Sequence, residues 1–269
     1  MTTQNAYDVC IVGGGVAGLS AAAFTARHDL TTLVLDAGES ILRRNAHLEN
    51  FPGFPAGVNA RLLLDLMADQ AENAGAERHT AEVTRVARAD EGDGASGGGA
   101  TGDGDETGDG GTIDERFVVE TAERDRYGAE YVVVATKNEV GYLDVDGVGI
   151  IDRGKAFVDV DEGGRTGVDG FYAAGRLAEK PHQAVVAAGH GAEVAVALLE
   201  DDDRPFYHDW VTPDGYFTGR GRDLPPGCEE IGADESRRRE SESLDTMSEY
   251  FAERHPDQQE THPSLTESE

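Results

Sequence analysis

Tyr7-Asp8-Val9-Cys10-Ile11-Val12-Gly13-Gly14-Gly15-Val16-Ala17-Gly18-Leu19 is the stretch that decides the fold. Asp8 to Val12 reads as a short buried strand that runs straight into glycines. Val16 to His28 is alanine-rich, which suits a helix packed closely on a sheet. Thr31-Thr32-Leu33-Val34-Leu35-Asp36 reads as a second strand, and a strand–helix–strand order implies a parallel crossover. The spacing Gly13-x-Gly15-x-x-Gly18 inside that unit has a mechanical meaning at each position. Gly13 permits the tight turn, and Gly15 lets the backbone approach a pyrophosphate. Gly18 allows close helix–strand packing while the helix-terminal amides face phosphates. Asp36, at the end of the second strand, accepts hydrogen bonds from a ribose hydroxyl and disfavours a 2′-phosphate. In this context the glycines mark a dinucleotide site.

The pattern continues outward from that unit. A Pro-Gly loop, Asn50-Phe51-Pro52-Gly53-Phe54-Pro55, precedes a helix predicted over Asn59 to Ala74, with Gly75 at its C-terminal end. Ala81 to Ala89, Arg116 to Thr121 and Tyr127 to Ala135 read as a small antiparallel meander. Asp90 to Thr112, nearly all Gly, Asp, Ala, Ser and Thr, has nothing to bury and reads as a flexible acidic hairpin tip. Phe157 to Val160 and Gly170 to Gly175 read as strands, and Gln183 to Leu199 as a second Ala/Val-rich helix. The expected architecture is α/β: a three-layer Rossmann-like domain over 1–203, with a parallel sheet and an antiparallel crossover meander. Residues 204–269 form an extension: an aromatic strap (Phe206, Tyr207, Trp210, Tyr216, Phe217), a charged helix from Asp234 to Arg254, and an end expected to be disordered from His255. The strap reads as surface cover or, alternatively, as a lid over the ligand site.

Several segments together resemble the thioredoxin reductase family. Tyr7 to Leu19 is similar to the family's FAD-binding start, and Glu49-Asn50-Phe51-Pro52-Gly53-Phe54-Pro55 to its loop beside the flavin. Val133-Val134-Ala135-Thr136 resembles the strand closing the first FAD segment. Gly170-Phe171-Tyr172-Ala173-Ala174-Gly175 resembles the second FAD fingerprint, with His182-Gln183-Ala184 opening the last helix. The resemblance implies FAD as cofactor, with contacts at Gly13, Gly15, Ala17, Gly18, Asp36, Asn45, Asn50, Val83, Ala135, Thr136, Gly175, Arg176, His182, Gln183 and Ala184. It also implies a homodimer.

Three departures from that family stand out. The span from Thr136 to Phe157 is too short for a nicotinamide-binding domain, since a βαβ unit alone takes ~30 residues or more. No Cys-x-x-Cys is present: Cys10 lies in an apolar run as a small hydrophobe, and Cys228 is distant, which excludes a disulfide framework or zinc site. Arg176 and Lys137 stand where the resemblance implies Asp and Gly; Arg176 cannot accept a hydrogen bond but can bind a pyrophosphate oxygen. The expected function is a FAD-dependent oxidoreductase whose electron donor or acceptor is a separate protein or small molecule. The alternatives are a non-catalytic FAD-binding module and a nucleotide-using biosynthetic enzyme retaining NAD.

The 269 residues hold 53 Asp and Glu against 23 Lys and Arg, a formal charge of −30. A field this negative repels nucleic acid and anionic lipid. The acids run through the apolar segments as well as the tails, which favours a protein of concentrated salt over a disordered one. In molar salt the Debye length falls to ~3 Å and carboxylate repulsion is screened. No apolar run approaches the ~20 residues of a bilayer span, and the N-terminus lacks a secretory pattern, so the expected location is cytoplasmic. Self-repulsion of this size predicts a melting temperature that climbs steeply between low and molar KCl, checked by circular dichroism; a flat profile would contradict the halophilic reading.

Overall fold

The computed structural model describes residues 5–89 and 115–265; the expected linker Asp90 to Thr112 lies outside the described residues. The opening unit is a strand β1 (Asn5–Val12), a helix α1 (Val16–Arg27) and a strand β2 (Thr32–Asp36). β1 and β2 pair in parallel from Val9↔Thr32 to Val12↔Leu35. Buried Asp8 staples the start of this pair. Its Oδ2 accepts from the Thr31 amide at 2.6 Å and the Thr31 hydroxyl at 2.7 Å, and its Oδ1 accepts from Arg204 at 3.1 Å.

Helix α2 (Ala60–Asn73) starts where Asn59 caps it, its side chain accepting from the Arg61 and Leu62 amides. It ends before Gly75, whose φ of +109° is one that side-chain-bearing residues rarely adopt. The chain then forms β3 (Glu77–Thr80), a parallel edge strand beside β2. This strand was not expected, because Glu-Arg-His-Thr has no apolar alternation. The meander follows as β4 (Val83–Arg88), β5 (Phe117–Thr121) and β6 (Arg126–Val134), antiparallel in both pairings.

β6 is the pivot of the sheet. One edge pairs with β1 in parallel from Asn5↔Tyr127 to Val12↔Val134. Along the other edge, its first half is taken by β5 and its last residues by β10 (Phe171–Ala173), from Phe171↔Val132 to Ala173↔Val134. Between β6 and β10 lie only β7 (Leu143–Asp144), alongside β4, and a hairpin of β8 (Ile150–Asp152) with β9 (Ala156–Val158). No helix interrupts this connection. Helix α3 (Ala184–Asp201) then packs against α1.

Side-chain alternation divides the core between two faces. Val9, Ile11, Tyr131 and Val133 meet the alanines of α1 and Val194, Ala195 and Leu198 of α3. Cys10, Val12, Val132 and Val134 meet Phe117, Val119 and Val86 of the meander. Strands buried on both sides read as continuous apolar runs, as β1 and β6 do. The result is helices, parallel sheet and meander in three layers.

The extension begins as a strap on the far end of α1. Arg27 grips Asp209 through two hydrogen bonds of 2.6 and 2.7 Å, and Phe206 meets the His28 ring edge-on at 4.8 Å. Trp210, Tyr216 and Phe217 cluster together beside a parallel pair, β11 (Trp210–Pro213) and β12 (Cys228–Ile231). Helix α4 (Ala233–Tyr250) buries no residue fully and is laced with ion pairs such as Arg239 with Glu235. The segment from His255, expected to be disordered, is held at two points: His255 Nε2 lies 2.8 Å from Asp65 Oδ2, and the Glu260 amide donates to the Arg43 carbonyl at 3.0 Å. No described helix is long and apolar enough to cross a membrane.

The α1–α3 contact depends on Gly191, where an added Cβ would sit 2.0 Å from the Ala17 carbonyl oxygen, while at Gly189 it would meet nothing within 4 Å. Gly191→Ala is therefore expected to destabilise by about 1–3 kcal/mol through overpacking. Gly189→Ala, two residues away, is expected to stabilise by up to about 1 kcal/mol through helix propensity. Denaturant titration of both variants in the same salt checks the pair.

Candidate functional site

The carboxyl ends of β1, β2 and β6 open onto a cleft of about 1650 Å³. Crevices at strand carboxyl ends are where open α/β sheets bind ligands. A space above the ~300–1,000 Å³ of ordinary small-molecule sites has room for a dinucleotide. Two helices enter the cleft with bare N-termini. α1 starts from Gly15 and α3 from Gln183, and neither has a side chain capping its first-turn amides. Asn59 shows what this chain does elsewhere, capping α2 twice over. Uncapped helix N-termini present free N–H donors and a positive dipole end to an anion.

The glycine turn that delivers α1 is built by contact. Gly13 has φ +108°, and a Cβ there would lie 2.9 Å from the Ala135 carbonyl oxygen. A Cβ on Gly14 would lie 2.6 Å from the Asp36 carboxyl carbon, so that carboxylate stands directly beside the turn. Asp36 Oδ1 accepts from the Gly38 amide at 3.1 Å. Gly15 is different: its Cβ would meet only Ser40 Oγ, at 3.8 Å, so the backbone is open to the cleft there.

Ala17, Gly13, Gly15, Asp36, Asn45, Asn50, Val83, Ala135, Thr136, Arg176, His182, Gln183 and Ala184 all line this cleft. Gly18 and Gly175 do not. Gly18 faces the turn, where a Cβ would come 1.9 Å from the Gly13 carbonyl oxygen. Gly175, at φ +65°, lies against Ala17, whose Cβ an added Cβ would approach to 2.7 Å. Both act through packing, holding the lining residues in place. Asn50 Nδ2 donates to Gln183 Oε1 at 2.9 Å, which ties the Pro-Gly loop to the start of α3. The Thr136 hydroxyl is engaged with Tyr142 at 2.7 Å and the Glu139 carbonyl at 2.9 Å. Arg176 lays its guanidinium over Phe157, 4.7 Å from the ring centroid, and donates to the Lys180 carbonyl at 3.2 Å. None of the strap aromatics lines the cleft; the strap is anchored at the other end of α1.

Arg44, Lys137, Lys155 and Arg176 line the cleft among six carboxylates, Asp36, Glu39, Glu49, Glu82, Glu123 and Glu139. Burial, with the charges of Lys137, Arg176 and Lys155, holds the His182 pKa below its usual value. Burial and the charges of Arg44 and Lys155 likewise lower Lys137. Lys137 also has φ +65°, a conformation that suits glycine and costs a lysine roughly 1–2 kcal/mol. Cys10 is fully buried, and burial pushes its thiol up to about 12, so it is no nucleophile. Among the described residues no cluster of His, Cys, Asp and Glu has the makings of a metal site.

Sequence reasoning missed His190. It is buried in α3, and its Nδ1 accepts the Gly175 amide at 2.9 Å, locking the second glycine turn to the helix. The His190-Gly191 pair inside an alanine-rich helix was the available signal: a polar ring beside a packing glycine.

Against known proteins, residues 11–73 match the NAD(P)-binding Rossmann-like domain family. The chain is 31% identical over 146 residues to a bifunctional thioredoxin reductase/thioredoxin of Mycobacterium leprae, covering 54% of this chain and 27% of that protein. It is 44% identical over 73 residues to a thioredoxin reductase of Aquifex aeolicus, covering 26% of this chain and 23% of the relative. The matched sequence thus spans about a quarter of the length of these relatives. Among solved structures, the thioredoxin reductase of Gloeobacter violaceus superposes with a TM-score of 0.54 at 19% identity, over 76% of this chain and 99% of that one. That of T. acidophilum gives 0.55 at 18%, over 73% and 98%. The fold is of the Rossmann type, with its cleft at the carboxyl ends of the strands. Within that class the chain is thioredoxin reductase-like.

His190 also makes a pH prediction. Burial, aided by Lys180, lowers its folded pKa from 6.5 to about 4. The proton is then bound more tightly in the unfolded chain, so this group's stability is present above pH 6.5 and lost as pH falls toward 4. The carboxylates with depressed pKa lose theirs only below their ordinary values, 3.8 for Asp201, Asp202 and Asp209 and 4.5 for Glu229, Glu230 and Glu235. A melting temperature that drops between pH 6.5 and 4.5, with a smaller drop in His190→Gln, is the expected result; equal drops would remove His190 from the account.

Proposed function

We propose that this chain binds FAD and acts as an oxidoreductase whose electron donor or acceptor is a separate molecule. The observation that carries the reading is the convergence of two uncapped helix N-termini and Asp36 on one dinucleotide-sized cleft. The Gly13–Gly15 turn and the α1 amides would hold the pyrophosphate, and Asp36 a ribose hydroxyl. Asn45, Asn50, Thr136, Gln183 and Ala184 would line the remainder. When bound, the flavin supplies the electron-transfer chemistry; the protein binds it, orients it and screens it from water. Similarity to thioredoxin reductases supports FAD over NAD, since it extends beyond the glycine turn: the Mycobacterium leprae relative matches over 146 residues, 54% of this chain.

Transfer from NADPH to thioredoxin by this chain alone is not part of the proposal. The connection from β6 to β10 holds only short strands, and a dithiol relay needs a cysteine pair that Cys10 and Cys228 do not form. A second reading, a FAD-binding module without turnover, draws on Arg176. That side chain is committed to Phe157 and the Lys180 carbonyl and cannot accept a hydrogen bond from a bound ligand.

The visible spectrum of protein purified in high KCl, before and after dithionite, separates these readings. The expected result is a flavin spectrum that bleaches with dithionite but only slowly with NADH or NADPH in anaerobic stopped flow. Gly15→Val, which the open space at Gly15 accommodates, should keep the fold and abolish flavin binding. A native protein that takes up no FAD from excess in molar salt would sink the proposal; fast stoichiometric bleaching by a nicotinamide would show that the chain needs no separate donor domain.

A further inference from the structure

Helix α4 is long for a helix that buries nothing. None of its 18 residues is fully buried, and Leu244 and Met247 near its end are exposed. It is held in shape by its own ion pairs: Arg237 with Asp234, Arg238 with Glu235 and Glu242, Arg239 with Glu235. A helix without a buried face, laced in this way, serves to bridge a distance. At 1.5 Å per residue it spans about 27 Å. What it bridges is set by its ends. The extension starts at the C-terminal end of α1, where Arg27 holds Asp209. α4 then returns the chain to the other end of α1, where Tyr250 lies beside Gly14 and Leu19.

On arrival the chain is fastened to the back of the segment that walls the cleft. Every residue from Ser40 to Asn50 lines the cleft except Arg43. Arg43 faces the other way, into a hollow of about 360 Å³ that Tyr250 and Asp65 also line. Gly14, Asp36 and Ser40 line the hollow and the cleft alike, so a single layer of residues separates the tail from the dinucleotide site. Tyr250 joins the core of Leu42, Leu48, Val58 and Leu62 beneath the wall, and the Phe251 ring stands 6.2 Å from that of Phe54. His255 follows, its side chain only 6% exposed. Its Nδ1 accepts the Asp257 amide at 3.0 Å, which leaves Nε2 to donate to Asp65 of α2 at 2.8 Å. Last, the Glu260 amide donates to the Arg43 carbonyl at 3.0 Å, the same carbonyl that buried Arg61 reaches at 3.2 Å.

The wall has little of its own to keep it in place. From Arg43 to Asn50 only Leu48 is buried, and the tie on the cleft side is the bond from Asn50 to Gln183. Segments with few buried apolar contacts open locally at low cost. We propose that the tail from Tyr250 to Glu260 is a clasp on the back of this wall, and that it sets how fast the bound dinucleotide leaves. The proposal rests on the flavoprotein reading above and adds to it the element that controls cofactor exchange. His255 is the catch of the clasp. It acts as a positioning residue, through Asp65 and α2, and does not line the cleft itself.

Two measurements on the whole FAD-loaded chain in molar KCl test this. One is the rate of FAD release, read from the rise in flavin fluorescence on dilution; the other is hydrogen exchange across residues 41–50. His255→Ala is expected to release FAD about tenfold faster, the factor carried by loss of one hydrogen bond to a charged group. Exchange across 41–50 should quicken with it, while β1, α1 and β6 keep theirs. Glu260→Pro, which removes the amide that reaches Arg43, should act in the same direction. His255→Gln, which keeps a donor for Asp65, should restore both readouts. Release unchanged in His255→Ala and Glu260→Pro would overturn the clasp and leave the flavoprotein reading intact. So would exchange that quickens throughout the domain, the mark of general destabilisation. A His255→Gln variant that behaves as His255→Ala would overturn the role given to the Asp65 bond. A wild-type chain that shows no flavin spectrum would sink the flavoprotein reading instead, and the exchange comparison, which needs no flavin, would then decide the clasp.

Discussion

The close approach of α1 to everything around it is the constraint on which the rest of this structure depends. At Gly18 the helix meets the Gly13 carbonyl, and at Gly191 helix α3 meets the Ala17 carbonyl, with no room for even a methyl group at either point. Gly175 lies against Ala17 in the same way. Three glycines from distant parts of the chain thus converge on one turn of one helix. Alanine-rich faces on both helices let the contact run on from there. The reward for this tightness is positional: both helix N-termini reach the same cleft, and neither is capped by its own chain.

Two electrostatic regimes coexist in the molecule. The exterior is dominated by carboxylates, and arginines such as Arg27, Arg165, Arg204 and Arg239 pair with them. The cleft mixes the signs: Arg44, Lys137, Lys155 and Arg176 line it together with Asp36, Glu39, Glu49, Glu82, Glu123 and Glu139. Burial strengthens the contrast, because charges in a partly desolvated cleft are screened less than charges on the surface.

β6 shows how the two halves of the fold are joined without a domain between them. Its full length supports β1, and its other edge is divided between the meander and β10. The chain therefore leaves the parallel sheet through the meander and comes back through a strand of only Phe171 to Ala173. That return strand sets Gly175 and Arg176 beside the first glycine turn, with His190 locking the arrangement from α3. The connection needs only short strands and one hairpin, whose tip delivers Lys155 to the cleft.

What the sequence by itself determined was every feature with a local period or a local steric demand. The β1–α1–β2 unit, the helix after Asn59 with Gly75 at its far end, and the meander strands were all legible, because alternation, alanine content and turn glycines are written within a few residues of where they act. Most of the residues expected at the site do line the cleft, and motif segments rather than periodicity pointed to them, but they are a minority of its lining. The tertiary structure alone decided what depends on distant partners. β3 pairs through backbone atoms that any side chain possesses, so Glu77 to Thr80 carried no signal. His190 gains its meaning from an amide fifteen positions away, and the tail at His255 from Asp65. Lys137, Lys155, Arg176 and Arg44 are scattered along the chain, and only folding brings them to one cleft. Charge acts through space, and sequence order does not record which charges will share it.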